Sequence, residues 1–245
     1  RQHGPCDTGT GPPPPRLGPS PEVFGVTPAA PPISVVIPAF NAELYLAEAI
    51  QSVLAQGIPG VEVVVVDDGS TDGTAGVAAA FGTQVALIRQ PNAGIGAARN
   101  AGVERAAGNF LAFLDSDDVW PAGSLACRLA VLDADPEADG VFGSVQEFRD
   151  GGDDLLPQGG GVAGALLLRR AKYEAVGPFD QELKVGEFID WMARAQDAGL
   201  KFRSVPDVVL RRRLHGANTG LVQRDARVEY TRVLRAALER RRHQS

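Results

Sequence analysis

The chain has 245 residues, of which 44% are hydrophobic, and a formal net charge of −6. This length and composition predict one globular domain that can bury a sizeable core. The negative charge argues against broad nucleic-acid binding, and no apolar run approaches the roughly 20 residues of a membrane span. Two cysteines, Cys6 and Cys127, offer no disulfide framework, so we expect a reducing, cytoplasmic environment.

Composition divides the chain into three regions. Residues 1–32 contain ten of the 18 prolines and almost no apolar periodicity, which predicts a disordered Pro/Gly-rich leader. Residues 33–220 are predicted to form the folded domain. Residues 221–245 are rich in arginine and predict a C-terminal helix, whose basic face is either solvated or in peripheral contact with the inner face of a membrane.

The first half of the domain alternates strands and helices. Short β-branched or apolar runs predict strands, and apolar residues at helical spacing predict helices. Strands are expected at 33–37, 61–66, 85–88 and 110–114, and helices at 42–56, 72–81 and 96–105. This order predicts a Rossmann-like α/β fold, in which helices flank a mostly parallel sheet.

The second half of the domain is predicted to be mixed. Helices are expected at 124–132, 187–198 and 223–242, and strands at 140–148, 162–168 and 202–210. A glycine-rich loop at 150–161 lacks periodicity. It is either an acceptor lid or a plain mobile surface loop.

Three aspartates follow the apolar run Phe110–Leu114 in the sequence DSDD, at Asp115, Asp117 and Asp118. Carboxylates crowded at the carboxyl edge of a sheet require a cation to relieve their repulsion. Oxygen ligands suit Mg²⁺ or Mn²⁺, and such ions keep positions open for substrate phosphates. The alternative is a solvated turn whose aspartates cap the next helix.

The other parallel strands also end in polar, turn-forming loops. These are PAFN at 38–41, DDGSTD at 67–72 and PNAGIGAARN at 91–100. Because parallel strands end on the same edge of a sheet, these loops are expected to meet DSDD in one crevice. GIGAAR is not a dinucleotide fingerprint, since Arg99 stands where the third glycine belongs.

The segments SVVIPAFN, EVVVVDDGSTDGT, QPNAGIGAARNAG and GNFLAFLDSDDVW resemble the ordered signature of family 2 glycosyltransferases, which have the GT-A fold. The resemblance implies inverting transfer of a hexosyl group to an acceptor hydroxyl, helped by Mn²⁺ or Mg²⁺. The implied donor is a nucleotide-diphosphate sugar, with a UDP-sugar expected first. The acceptor would be a glycan, a lipid, a peptide or a small molecule.

The resemblance also assigns residues to the donor site. It implies that Pro38, Phe40 and Asn41 line the nucleoside pocket, and that Asp68 accepts a hydrogen bond from the base while Asp67 orders its loop.

In the third loop, Asn92, Gly94 and Arg99 match the family pattern. Arg99 would either order that loop or face donor phosphate, and a structural role at the start of a helix is the alternative.

For the metal, the resemblance implies that Asp117 is a direct ligand, that Asp115 reaches the ribose or the metal, and that His215 completes the site. The alternative for His215 is a histidine that satisfies a local turn. One guanidinium from the run 211–213 could lie on the diphosphate, because alternation along a strand points at most one or two of these arginines into the site.

The general base is where the chain departs from the family pattern. Family members carry a Glu-Asp pair before a helix, but here Phe188 occupies the acid position. Glu187 and Asp190 remain as candidates, with Asp190 ahead because the neighbouring Trp191 resembles acceptor-site patterns. The alternatives are an ion pair between Asp190 and Arg194, a helix-dipole role for Glu187, and a core position for Trp191.

Two rival functions are weighed against transfer. A sugar nucleotidyltransferase could use a similar sheet and metal site, but we would expect a basic glycine-rich loop where PAFN stands. A non-catalytic nucleotide-sugar binding protein that lost its base at Phe188 is the second rival.

Overall fold

A computed structural model describes residues 32–216 of the chain. The strands are β1 (Ile33–Ala39), β2 (Glu62–Asp67), β3 (Val85–Arg89), β4 (Phe110–Phe113), β5 (Gly140–Phe148), β6 (Gln158–Gly159), β7 (Leu167–Arg169) and β8 (Phe202–Arg213). The helices are α1 (Leu46–Leu54), α2 (Thr74–Ala79), α3 (Ile95–Arg105), α4 (Ser124–Ala134), α5 (Arg170–Val176) and α6 (Glu187–Asp197). The predicted leader, apart from Pro32, and the predicted C-terminal helix lie outside the described residues.

The first half forms the expected parallel sheet. Strands β3, β2, β1 and β4 are adjacent in that order, and each pair is parallel. The run Val63–Val66 is fully buried, as expected for a strand covered by helices on both faces. Because these strands point the same way, their carboxyl ends and the loops that follow share one edge.

The second half is mixed, as predicted, but its details differ. The predicted strand 162–168 is a short 3₁₀ turn at Ala163–Ala165 followed by β7, which runs antiparallel to β4 and β5. Helix α5 was not predicted, and the glycine-rich loop contains the short β6. Strand β8 pairs parallel with β5 and continues to Arg213, past the predicted end at Leu210.

Helices cover both faces of the sheet. Helices α1, α2 and α4 pack on one face, through residues such as Ile50, Ala78 and Leu125. Helices α3, α5 and α6 pack on the other face, around an aromatic cluster that comprises Phe113, Tyr173, Phe179, Phe188 and Trp191.

Helix α3 lies unusually close to the sheet. A Cβ atom added at Gly102 would overlap the side chain of Val36 in β1, so only glycine permits this approach. The close packing fixes the helix that carries Arg99. No helix within residues 32–216 combines the length and apolar character needed to cross a membrane.

Candidate active site

The loops after β1 and β2 are hydrogen-bonded together at the carboxyl edge. The Asn41 N–H donates to Ser70 Oγ at 2.9 Å, and the Thr71 N–H donates to Asn41 Oδ1 at 2.9 Å. Asn41 has a positive φ of 48°, which asparagine tolerates better than most residues. Phe40 is 51% exposed beside it, while Pro38 is buried within β1.

Asp67 and Asp68 organise the loops around them. Asp67 is buried and accepts bonds from the Ser70 N–H and from Arg89 Nε, both at 3.0 Å. Burial alone would raise the pKa of Asp67, but the bonds from Ser70 and Arg89 outweigh it and lower the pKa below its ordinary value. Asp67 therefore orders its loop, as the resemblance implies.

The carboxylate of Asp68 holds the third loop. It accepts bonds from Gln90 Nε2 at 2.7 Å, from the Ala93 N–H at 2.9 Å and from the Gly94 N–H at 2.8 Å. A carboxylate has about four acceptor positions, so these three bonds leave room for about one more. Asp68 is only 4% exposed.

The third loop also lies against the second. A Cβ atom added at Gly69 would lie 2.6 Å from the Asn92 backbone nitrogen, so the two loops are in close backbone contact. Gly94 has a φ of 92° and precedes the first residue of α3. The side chain of Asn92 is exposed at this edge. The structure thus brings the first three predicted loops together.

Arg99 does not face a donor phosphate in this structure. Its side chain is buried, with Nη2 donating to Asp115 Oδ1 at 2.7 Å and Nη1 forming an ion pair with Glu187. Burial alone would lower the pKa of Arg99, but Asp115 and Glu187 outweigh it and raise the pKa above its ordinary value. The guanidinium therefore joins the DSDD loop to helix α6.

The aspartates of the DSDD loop have different partners. Asp115 is bound by Arg99, Asp117 Oδ2 lies 2.9 Å from His215 Nε2, and Asp118 Oδ1 accepts the Arg213 N–H at 2.9 Å. In this loop, the surroundings of Asp117 and Asp118 disfavour the ionised carboxylate. Burial, together with nearby aspartate charge, raises the pKa of Asp117, and raises the pKa of Asp118 well above its ordinary value.

Strand β8 brings His215 to the loop. Val119 and Arg211 exchange two backbone hydrogen bonds, of 3.0 and 2.8 Å, which fasten the DSDD loop to β8. The imidazole of His215 stacks on Tyr45, with ring centroids 4.9 Å apart. Asp117 and His215 therefore meet although 98 positions separate them in sequence.

The side chain of Arg213 in β8 also contacts the DSDD loop. Its Nε donates to the Asp117 carbonyl at 3.0 Å, and its Nη atoms form ion pairs with Glu48 and Asp150. The guanidinium also lies 4.9 Å from the Tyr45 ring centroid. Tyr45 and Glu48 were not predicted as site residues, because nothing distinguishes them in sequence from other residues at the start of a helix.

The first turn of α6 carries both candidate bases. Glu187 is paired with Arg99, and Asp190 Oδ2 accepts a bond from Arg194 Nε at 2.8 Å. The ion pair between Asp190 and Arg194 that we weighed as an alternative is thus present. Both acids are buried, at 6% and 8% exposure.

The structure corrects the predicted role of Trp191. The indole is 1% exposed and stacks on Tyr173 and Phe188, and its Nε1 donates to the Gly177 carbonyl at 2.9 Å. Stacking on a sugar requires an accessible ring face, so Trp191 is a core residue and not a donor or acceptor contact. Its aromatic neighbours come from distant positions, which is why its sequence context gave the wrong indication.

The fold is shared with solved glycosyltransferase structures. S. aureus TarS in complex with UDP-GlcNAc matches with a TM-score of 0.66 and 24% identity, over 76% of this chain and 59% of that chain. The mannosyltransferase PcManGT from Pyrobaculum calidifontis, solved with GDP-Man and Mn²⁺, matches with a TM-score of 0.58 and 23% identity, over 74% and 56%. The chain therefore has the GT-A fold.

Sequence comparison gives the family. Residues 34–183 match the model of glycosyl transferase family 2, so the chain belongs to this family. The PGL/p-HBAD biosynthesis glycosyltransferase of Mycobacterium tuberculosis is 32% identical over 196 residues, which are 75% of this chain and 74% of that protein. Two other glycosyltransferase relatives are longer, and the matched region spans 17% and 66% of their length. These findings confirm the predicted fold and family and do not support the nucleotidyltransferase rival.

Proposed function

We propose that this domain transfers a sugar from a nucleotide-diphosphate donor to an acceptor hydroxyl, by a single inverting displacement that depends on a divalent metal ion. The observation that carries the proposal is the position of Asp117 and His215, in contact at the carboxyl edge of the sheet beside Asp115. The donor classes follow from the structural neighbours, whose complexes contain UDP-GlcNAc or GDP-Man. We propose a UDP-sugar as the first donor to test.

The chemistry of the Asp117 and His215 side chains fits a divalent metal. Burial and the nearby Asp115 charge raise the pKa of Asp117. A cation bound by Asp117 and His215 would offset the cost of placing negative charge there. Within residues 32–216 no group of three or more acidic, histidine or cysteine side chains is already arranged as a metal site. Asp117 and His215 would therefore hold the ion with Asp115, water or donor oxygens, as is usual for Mg²⁺ and Mn²⁺.

A histidine ligand favours Mn²⁺ over the harder Mg²⁺. The bound ion would neutralise charge on the leaving diphosphate. The side chains of the loop would hold the donor in place while this charge develops.

The acceptor proton would pass to an acid on α6. As the acceptor oxygen attacks the anomeric carbon, the bond from that carbon to the diphosphate oxygen breaks and the hydroxyl proton moves to the base. Both acids are paired with an arginine, and we keep Asp190 as the first candidate because its partner Arg194 is 24% exposed, whereas Glu187 is held by the buried Arg99 that Asp115 also binds. Phe188 is 7% exposed in the aromatic cluster, so this chain has a core residue at the position where the family resemblance implies an acid.

Release of the nucleotide diphosphate tests the proposal. The chain is incubated with UDP-GlcNAc or GDP-Man and with Mn²⁺, Mg²⁺ or a chelator, and the free nucleotide is measured together with the anomeric form of the sugar product. We expect release that requires the ion and a product of inverted configuration. Release unaffected by the chelator would contradict the metal assignment, and retained configuration would contradict the single displacement.

A further inference from the structure

One buried guanidinium connects the two sides of the site. Arg99 is 2% exposed, and its two Nη atoms bind different carboxylates, Asp115 at the start of the DSDD loop and Glu187 at the start of α6. The planar, rigid fork of the guanidinium therefore sets their separation.

A rigid frame holds Arg99 in place. Helix α3 lies against β1 through Gly102. The neighbouring Asn100 donates from Nδ2 to the Phe179 carbonyl and accepts the Phe179 N–H at Oδ1, both at 3.0 Å. The Arg99 guanidinium lies 5.8 Å from the Phe179 ring centroid and 6.0 Å from that of Phe113. The side chain thus has little freedom to follow either partner.

The guanidinium depends on its two carboxylates. Its Nε is buried and has no hydrogen-bond partner among the described residues, so the bonds to Asp115 and Glu187 carry its charge compensation. A buried cation with one carboxylate removed is under-compensated, and with both removed it is uncompensated. The positions of the loop and the helix are therefore linked through one side chain.

We propose that Arg99 is a positioning residue, which couples the DSDD loop on the donor side to helix α6 on the acceptor side. In terms of the proposed function, on which this inference rests, Arg99 keeps the base-bearing turn of α6 at a fixed place relative to the donor. A displacement of about 1 Å between reacting groups can cost about 100-fold in rate. Arg99 would thus affect turnover without contacting substrate.

A ligand-free mutant cycle tests the coupling itself. Asp115→Asn and Glu187→Gln, singly and together, are made with Arg99 present and in an Arg99→Met background, and melting temperatures are compared. With Arg99 present, the melting temperature of the double variant should fall by more than the sum of the two single decreases, because the Arg99 guanidinium then has neither carboxylate as a partner.

In the Arg99→Met background, the same two substitutions should raise the melting temperature. Glu187 is then a buried acid without its arginine, and Asp115, whose side chain is 40% exposed, only adds negative charge next to Asp117. If Arg99→Met does not fold, Arg99→Met/Glu187→Gln replaces it and Asp115→Asn is measured there. Additive effects of the same sign in both backgrounds would overturn the proposal.

Steady-state kinetics of Arg99 variants distinguish a positioning role from a purely structural one. Arg99→Lys keeps the charge but cannot hold both acids in a fork, so it should lower kcat for nucleotide release by about 10- to 100-fold with the donor KM near wild type. Arg99→Met should be slower than Arg99→Lys. Arg105→Lys and Arg105→Met, at the exposed end of the same helix, are matched controls that should change neither value.

Normal turnover in Arg99→Lys would overturn the positioning role and leave the proposed function intact. If the wild type releases no nucleotide, the proposed function fails instead. The positioning role is then read from hydrogen exchange over 187–197 without ligand. Exchange should be faster in Arg99→Lys than in the wild type, and unchanged exchange would overturn the proposal.

Discussion

Arg128 on α4 is a buried cation for which we expect an uncharged replacement to stabilise the fold. It is fully buried, and no carboxylate contacts it among the residues described. Its Nε and Nη2 donate to the carbonyl and hydroxyl oxygens of Ser124, at 2.9 and 2.8 Å, while Nη1 has no partner in the described region. The guanidinium lies 4.9 Å from the Trp120 ring centroid. Burial lowers the pKa of Arg128 from its ordinary value to about 9.

The magnitude follows from this shift. One pKa unit corresponds to about 1.4 kcal/mol, so the charged side chain costs the folded state on the order of a few kcal/mol at neutral pH. Arg128→Met removes that cost at similar volume, and Ser124 Oγ still donates to the Val209 carbonyl at 2.7 Å. After the lost bonds to Ser124 and the contact with Trp120, we expect a gain of about 1–3 kcal/mol in the free energy of unfolding. The melting temperature should rise by roughly 2–4 °C per kcal/mol.

Urea unfolding at pH 7 and at pH 10 measures this change. Above about pH 9 the unfolded chain binds more protons at Arg128 than the folded chain does, so wild-type stability gains with pH and the advantage of Arg128→Met should shrink. Arg169→Met is the control, because Arg169 donates to the Ala138 and Leu132 carbonyls, and its loss should destabilise. If Arg128→Met lowered the free energy of unfolding as much as Arg169→Met does, the reasoning would be refuted.

Three further predictions concern the site and its support. Asp190→Asn should lower kcat by about 10²- to 10⁴-fold with donor affinity near wild type, and Glu187→Gln by much less; the reverse pattern in steady-state kinetics would assign the base to Glu187. Trp191→Ala should reduce the free energy of unfolding by about 3–5 kcal/mol, and a loss below about 1 kcal/mol in urea melts would contradict its core position. Asp67→Asn should destabilise at pH 7. The pKa of Asp67 is lowered by folding, so this difference should shrink as the pH falls below about 4 toward that lowered pKa, and a difference that does not decrease between about pH 4 and pH 2 would argue against it.

The parallel half of the fold was predictable because local signals carried it. Buried strands such as Glu62–Asp67 read as apolar runs, and the loops after them had turn-forming residues. The 3₁₀ turn at Ala163–Ala165 and helix α5 were missed because neither has a clear period and tertiary packing decides them.

The site was predictable where motifs converge on one edge, and less so where contacts span the chain. The meeting of Asp117 with His215 was expected from the family resemblance. The bridge from Arg99 to Glu187 joins positions 88 apart, and no local pattern indicates it. Whether Trp191 faces a ligand or the core likewise depends on rings brought together only by folding.

Calorimetric titration of UDP, with and without Mn²⁺, into the wild type and Asp117→Ala tests the central claim most directly. Removing one carboxylate from the site should weaken binding of the metal ion and leave the negative charge of the diphosphate uncompensated. We predict that the wild type binds UDP far more tightly with Mn²⁺ and that Asp117→Ala loses this dependence while remaining folded. The same Mn²⁺-dependent affinity in both proteins would contradict the assignment of the metal and donor site to the DSDD loop.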